Sequence, residues 1–93
     1  MEVKILKEEK DNLILETDNQ TVAEVLRVYL NKDESVQLAA WKKNNSNKPA
    51  IFEIRTKGKT AKKALEDAAS KIEKDTEKYL EELESIISMN FEE

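Results

Sequence analysis

The sequence predicts an α+β fold in the order ββαββα: a four-stranded antiparallel sheet covered on one face by a short helix and a long C-terminal helix. Three features lead there. Apolar and polar residues alternate with period two in four separate stretches; one short stripe of period 3.6 lies between the second and third of them; and a long amphipathic run free of glycine and proline closes the chain.

Val3 and Ile5 point one way and Lys4 and Leu6 the other, which is a strand. The polar run Glu8 to Asn12 reads as a hairpin loop, and Leu13-Ile14-Leu15 resumes an extended segment. Asp18-Asn19-Gln20 breaks it. Thr21 and Glu24 have the spacing of a capping box, in which the hydroxyl accepts from the third backbone N–H and the carboxylate from the cap's own. Behind them Val22, Val25, Leu26, Tyr29 and Leu30 form the apolar stripe of a short helix that ends near Asn31-Lys32-Asp33. Val36, Leu38 and Ala40 then alternate with Gln37, Ala39 and Trp41 as a third strand. Lys42 to Pro49 has no apolar residue and reads as a loop. Ile51 to Arg55 is a fourth strand, with Phe52 and Ile54 on one face. Gly58 sits in a Lys-Gly-Lys turn, and Thr60 is placed to cap the last helix.

That last helix is predicted from Thr60 to about Ser88. At 100° per residue, Ala61, Ala64, Leu65, Ala68, Ala69, Tyr79, Leu80, Leu83, Ile86 and Ile87 all fall within about 80° of Ile72. A helix of about 29 residues would be roughly 43 Å long. A compact domain of this size has a diameter of roughly 32 Å, so the rod should outrun its own sheet by about 10 Å. The first half of the stripe is mostly alanine, suited to lying close on a sheet; the second half carries large knobs suited to a helix–helix seam. Asp75 and Thr76 interrupt the stripe between the two. Exposing Leu80, Leu83, Ile86 and Ile87 would forgo about 1.5–3 kcal/mol each. The expected protein-partner interface is therefore Leu65, Ile72, Tyr79, Leu80, Leu83, Ile86 and Ile87.

Composition narrows the chemistry. The chain has 93 residues, with no histidine, no cysteine and one glycine. A disulfide framework, a cysteine zinc site, a histidine base and a glycine-rich phosphate loop are all excluded. Adjacent helical carboxylates such as Glu81-Glu82 diverge by about 100° and cannot flank one bond. No catalytic residue, cofactor site or metal site is expected. The N-terminus has no apolar signal region, and no stretch is long and apolar enough to span a membrane. A single domain over residues 1–93, located in the cytoplasm, is the expectation.

Charge is unevenly spread. Charged residues make up 39% of the chain, above the usual quarter or so, and the net charge is −4. From Lys42 to Lys63 there are eight basic residues and one acidic, a net of +7; from Glu77 onward there are six Glu and one Lys, a net of −5. The basic segment, with Trp41 and Phe52 as stacking residues, is the feature a stand-alone nucleic-acid-binding domain would use. Direct nucleic-acid contact is not the first expectation, because the whole chain is acidic and has no aromatic–glycine RNA-binding pattern.

The start MEVKILKEEKDNLILE, the helix TVAEVLRVYL and the closing amphipathic helix together resemble the archaeal RNA polymerase subunit L family. That family is related to the eleventh subunit of eukaryotic RNA polymerase II and to the dimerisation part of the bacterial alpha subunit. A family segment of the form E-D-H-T-L-G-N-L-L-R is represented here by Asp18 to Arg27. Thr21, Leu26 and Arg27 match it, whereas Gln20, Ala23 and Glu24 stand at the usual His, Gly and Asn. Trp41 stands for the family's aromatic residue, and Asn44-Asn45 lie near its His-Pro pair. The resemblance implies a dimerisation-type fold and a non-catalytic subunit of DNA-directed RNA polymerase. It also implies a heterodimer with a D-like polymerase protein, on which the large polymerase subunits then assemble. Metal and nucleotide chemistry would belong to those other subunits. A homodimer of the isolated chain, pairing its own long helices, is the further alternative.

Overall fold

The computed structural model describes residues 3–45 and 47–76. In chain order these form β1 (Val3–Glu8), β2 (Asn12–Thr17), α1 (Gln20–Leu30), β3 (Val36–Lys42), β4 (Ala50–Thr56) and α2 (Ala61–Asp75). The strands assemble in the order β1-β2-β4-β3, and every neighbouring pair is antiparallel. The central strands β2 and β4 put Leu13, Leu15, Phe52 and Ile54 on the face that both helices cover, each no more than 1% exposed. Registry explains why these four meet: Leu13 lies opposite Ile54 and Leu15 opposite Phe52. Ile14, Glu16, Ile51 and Glu53, at the alternate positions, are only half-buried.

Local chemistry sets the boundaries. Asn19, not Thr21, caps α1: its backbone is extended and its side-chain oxygen accepts the Val22 N–H at 3.0 Å. The capping box is thus corrected, since Thr21 falls within the helix and Glu24 turns to other partners. The amide oxygen of Asn is at least as good a cap as the Thr hydroxyl, and here Asn19 stands one step before the first helical residue. Asn19→Ala is expected to cost about 1 kcal/mol, read as a shift in the urea unfolding midpoint; an unchanged midpoint would show that the cap contributes nothing. Thr60 caps α2 as expected, accepting the Lys63 N–H at 3.1 Å. Gly58 has φ +86° in the turn between β4 and α2, a conformation costly for any side chain.

β3 departs from simple alternation. A register shift lies between Val36 and Leu38, so Val36 packs against the core together with Ala39 and Trp41. Another shift, between Ile5 and Lys7 in β1, leaves Leu6 49% exposed.

The longer helix is also shorter than expected. α2 ends at Asp75, and Thr76 is extended (φ −153°, ψ 150°) while its N–H still reaches the Ile72 carbonyl. One uninterrupted rod from Thr60 to Ser88 is therefore not what the chain forms. Fifteen residues give a helix of about 22 Å, which fits within a body of 35 × 29 × 23 Å. Asp and β-branched Thr are both weak helix formers, and the break falls where they adjoin.

One ion-pair group ties the layers together. Lys59, in the β4–α2 turn, donates to Asp33 at 2.7 Å and to Asp67 of α2 at 2.8 Å, and Lys63 reaches the other Asp67 oxygen at 3.3 Å. The Lys59 ammonium holds both carboxyls below the usual range, and they in turn raise Lys59 above the ordinary lysine value. The carboxylate contribution is complete above an unfolded-state pKa of about 4 and is lost as acid protonates them through their lower folded values. The lysine contribution is complete below about 10.4 and is lost as pH rises through its raised value. Lys59→Met should lower stability by about 1–2 kcal/mol at neutral pH. It should also flatten the loss of stability on the acid side, as followed by urea unfolding at several pH values. Unchanged acid dependence would mean that these pairs carry no stability.

Candidate functional site

The helical layer has a buried side and an exposed crest, and the sequence of α1 divides them. Val22, Ala23, Leu26 and Leu30 point into the core and are at most 2% exposed. The remaining stripe, Thr21, Val25, Val28 and Tyr29, rises out of it. Val28 is 40% exposed, Thr21 is exposed, and Val25 and Tyr29 are half-buried. Apart from Leu6, Val28 is the one large hydrophobic side chain left so open among the described residues. Val28, with Val25 and Tyr29 beside it, is the apolar part of that crest.

α1 and α2 lie antiparallel. Asp33, just past the end of α1, is joined through Lys59 to Asp67, whereas Tyr29, one turn earlier in α1, meets Asp75 two turns later in α2. The Tyr29 hydroxyl donates to the Asp75 carboxylate at 2.8 Å, and this bond raises the phenol's pKa. The Lys32 ammonium stands 4.9 Å from the centre of the Tyr29 ring. Tyr29 thus fastens the last turn of α2 to α1, at the point where the chain leaves the helix.

The opposite flank of α1 meets the edge strand β3. Glu24 accepts from Arg27 Nε at 2.9 Å and Nη2 at 2.6 Å, and from the Trp41 indole N–H at 3.0 Å. These donors, Arg27 foremost, hold the Glu24 carboxyl at a pKa of about 2. Asn31 adds a bond to the Ala39 carbonyl at 3.3 Å. Trp41 packs against the core and has its polar group engaged, and Phe52 is fully buried. Phe52 therefore offers no face for a base to stack upon, and Trp41 is half-buried.

The expected interface residues separate into two groups. Leu65 and Ile72 are wholly enclosed by their own chain and present no surface to a partner. The helical stripe identified them correctly as covered, but the cover is the sheet and α1. Tyr79, Leu80, Leu83, Ile86 and Ile87 lie outside the described residues. Of the three family-motif positions, Leu26 is core, Arg27 pairs with Glu24, and Thr21 stands exposed on the crest. Val28 was missed because one apolar residue on the polar side of a wheel carries no periodic signal.

The basic segment is not one patch. Lys42, Lys43 and Lys48 sit at one end of β4 and Lys57, Lys59, Lys62 and Lys63 at the other, separated by a strand about 20 Å long. Arg55, Lys59 and Lys63 are neutralised by Glu53, Asp33 and Asp67. Among the described residues no cluster of acidic side chains is arranged to hold a metal ion, and no helix is long and apolar enough to cross a membrane.

Comparison with known proteins agrees with this geometry. The sequence matches the RNA polymerase Rpb3/Rpb11 dimerisation domain over residues 12–82. It is 37% identical over 90 residues to the DNA-directed RNA polymerase subunit Rpo11 of Sulfurisphaera tokodaii, covering 92% of this chain and 97% of that protein. The fold is similar to the crystal structure of DNA-directed RNA polymerase subunit L from Thermoplasma acidophilum. That likeness has a TM-score of 0.72 at 19% identity and covers 98% of this chain and 97% of the other.

Proposed function

The chain belongs to the RNA polymerase Rpb3/Rpb11 dimerisation domain family, and from that premise we propose that it is a non-catalytic assembly subunit of DNA-directed RNA polymerase. The observation that carries this reading is the match to Rpo11, which runs over nearly the whole of both chains. The likeness thus takes in nearly the full length of Rpo11. The chain pairs with a D-like polymerase protein, and the pair forms the platform on which the large subunits assemble. Its work is binding alone; bond making belongs to the other subunits. It acts in the cytoplasm, where they are.

The physical basis is the crest of the helical layer. Val28, with Val25 and Tyr29 beside it, is apolar surface left open after the chain has closed its own core. In the sequence, Leu80, Leu83, Ile86 and Ile87 continue the apolar spacing of α2. A stable subunit interface buries about 1,200–2,000 Å² in total, with large apolar anchors at its centre.

Affinity purification of the tagged full chain from source cells tests the proposal. Stoichiometric recovery with a D-like polymerase protein and the large polymerase subunits is the expected result. Recovery of the chain alone, or as a homodimer only, would overturn it.

A further inference from the structure

Asp75 stands on the apolar side of its helix and at the end where a negative charge is least welcome. It lies about 60° around α2 from Ile72, within the stripe that the rest of the helix fills with apolar residues. It is also the last residue of α2, where the unpaired carbonyls disfavour a carboxylate. The Tyr29 hydroxyl meets it there, donating at 2.8 Å from 46 residues away in sequence. Both residues reach solvent in the free chain, Asp75 exposed and Tyr29 half-buried, so the bond competes with water and adds little to stability. On one side of this bond is the crest: Tyr29 follows Val28, and its ring packs against the core with the Lys32 ammonium 4.9 Å from its centre. On the other side the chain leaves the helix, with Thr76 extended and Tyr79, Leu80 and Leu83 still to come in the sequence. The bond therefore joins the crest to the point from which the chain departs.

We propose that Tyr29 and Asp75 are a positioning pair for partner binding: their hydrogen bond fixes the exit of the chain from α2 relative to the crest, and it tightens when a partner covers the crest. The inference rests on the assembly-subunit reading above and gives these two residues a part in it. A partner seated on Val25 and Val28 also removes water from Tyr29, their neighbour on α1. A hydroxyl–carboxylate bond strengthens as the surrounding dielectric falls. Without the hydroxyl, the Asp75 charge would lose water and gain no donor, which is costly. The contact thus matters little to the free chain and much to the dimer. A contact kept for folding alone would show the reverse.

The test measures the affinity of the full chain for the D-like polymerase protein, with urea unfolding of each free variant alongside. Y29F keeps the ring, its packing and the Lys32 contact, and loses only the hydroxyl. It should bind about tenfold more weakly or worse, the scale of one hydrogen bond to a charged group. Its urea midpoint should stay close to that of the parent chain. D75N, whose amide oxygen accepts the same hydroxyl, should bind within about threefold of the parent. Y29F/D75N should recover most of the affinity that Y29F loses, because no charge is left to be buried unpaired. Y29F that binds as tightly as the parent would overturn the inference. So would a loss that D75N does not relieve, since it would not arise at Asp75. A fall in urea midpoint that matches the fall in affinity would make Tyr29 ordinary core and would also overturn it. Each of these leaves the assembly reading standing. Failure of the parent chain to bind the D-like protein would overturn that reading, and this inference with it.

Discussion

Val28→Glu and Leu83→Glu are each expected to reduce capture of the partner protein by at least about a hundredfold, while the sheet stays folded. Val28 is 40% exposed on a helix surface in the free chain, where a charged side chain is solvated and costs within about 0.5 kcal/mol. In the dimer the same carboxylate would be taken out of water with no cation opposite it. Leaving a charge buried and unpaired costs several kcal/mol, and each 1.4 kcal/mol is tenfold in affinity. Leu83 lies outside the described residues and enters through its place on the stripe with Ile72 and Tyr79. Circular dichroism and urea unfolding report the fold, and pull-down of the partner reports binding. If Leu83→Glu unfolded the whole chain, that residue would be ordinary core; if Val28→Glu bound normally, the crest would not be the interface.

Phe52→Ala is the largest stability change expected within the chain, a loss of about 3–5 kcal/mol. Phe52 is fully buried in the middle of β4, opposite Leu15 of β2 on one side and Trp41 of β3 on the other. Both helices cover that face, so the cavity would open between all the layers at once. A domain of this size commonly has about 5–15 kcal/mol of net stability. The variant should unfold at a much lower urea concentration and should lose partner binding through unfolding, with the two losses falling together. A loss below about 1 kcal/mol would mean that the core closes around the gap, against the packing described here.

Element order and core were legible because period is a local property. Leu13 and Leu15, Phe52 and Ile54, and Val22, Leu26 and Leu30 could each be assigned to a face from their spacing alone. What escaped depends on neighbours in space. The bulge that brings Val36 to the same side as Ala39 exists only relative to β4. The Asn19 cap is decided by which of several short polar residues wins the Val22 N–H, and the stop at Asp75 falls where two weak helix formers adjoin. Leu65 and Ile72 show the same limit at the interface. A helical stripe tells that side chains must be covered, and not whether the chain's own sheet or a second chain covers them. The basic segment looked like one feature in the sequence, yet β4 carries its two ends to opposite edges of the fold.

Hydrogen exchange of the full chain, alone and within purified polymerase, tests most directly whether the helical layer is the dimerisation surface. The account predicts added protection in α1, centred on Val25 to Tyr29, with β2 and β4 at the sheet centre changing little. Added protection confined to the outward side of the sheet, with α1 exchanging as in the free chain, would contradict it.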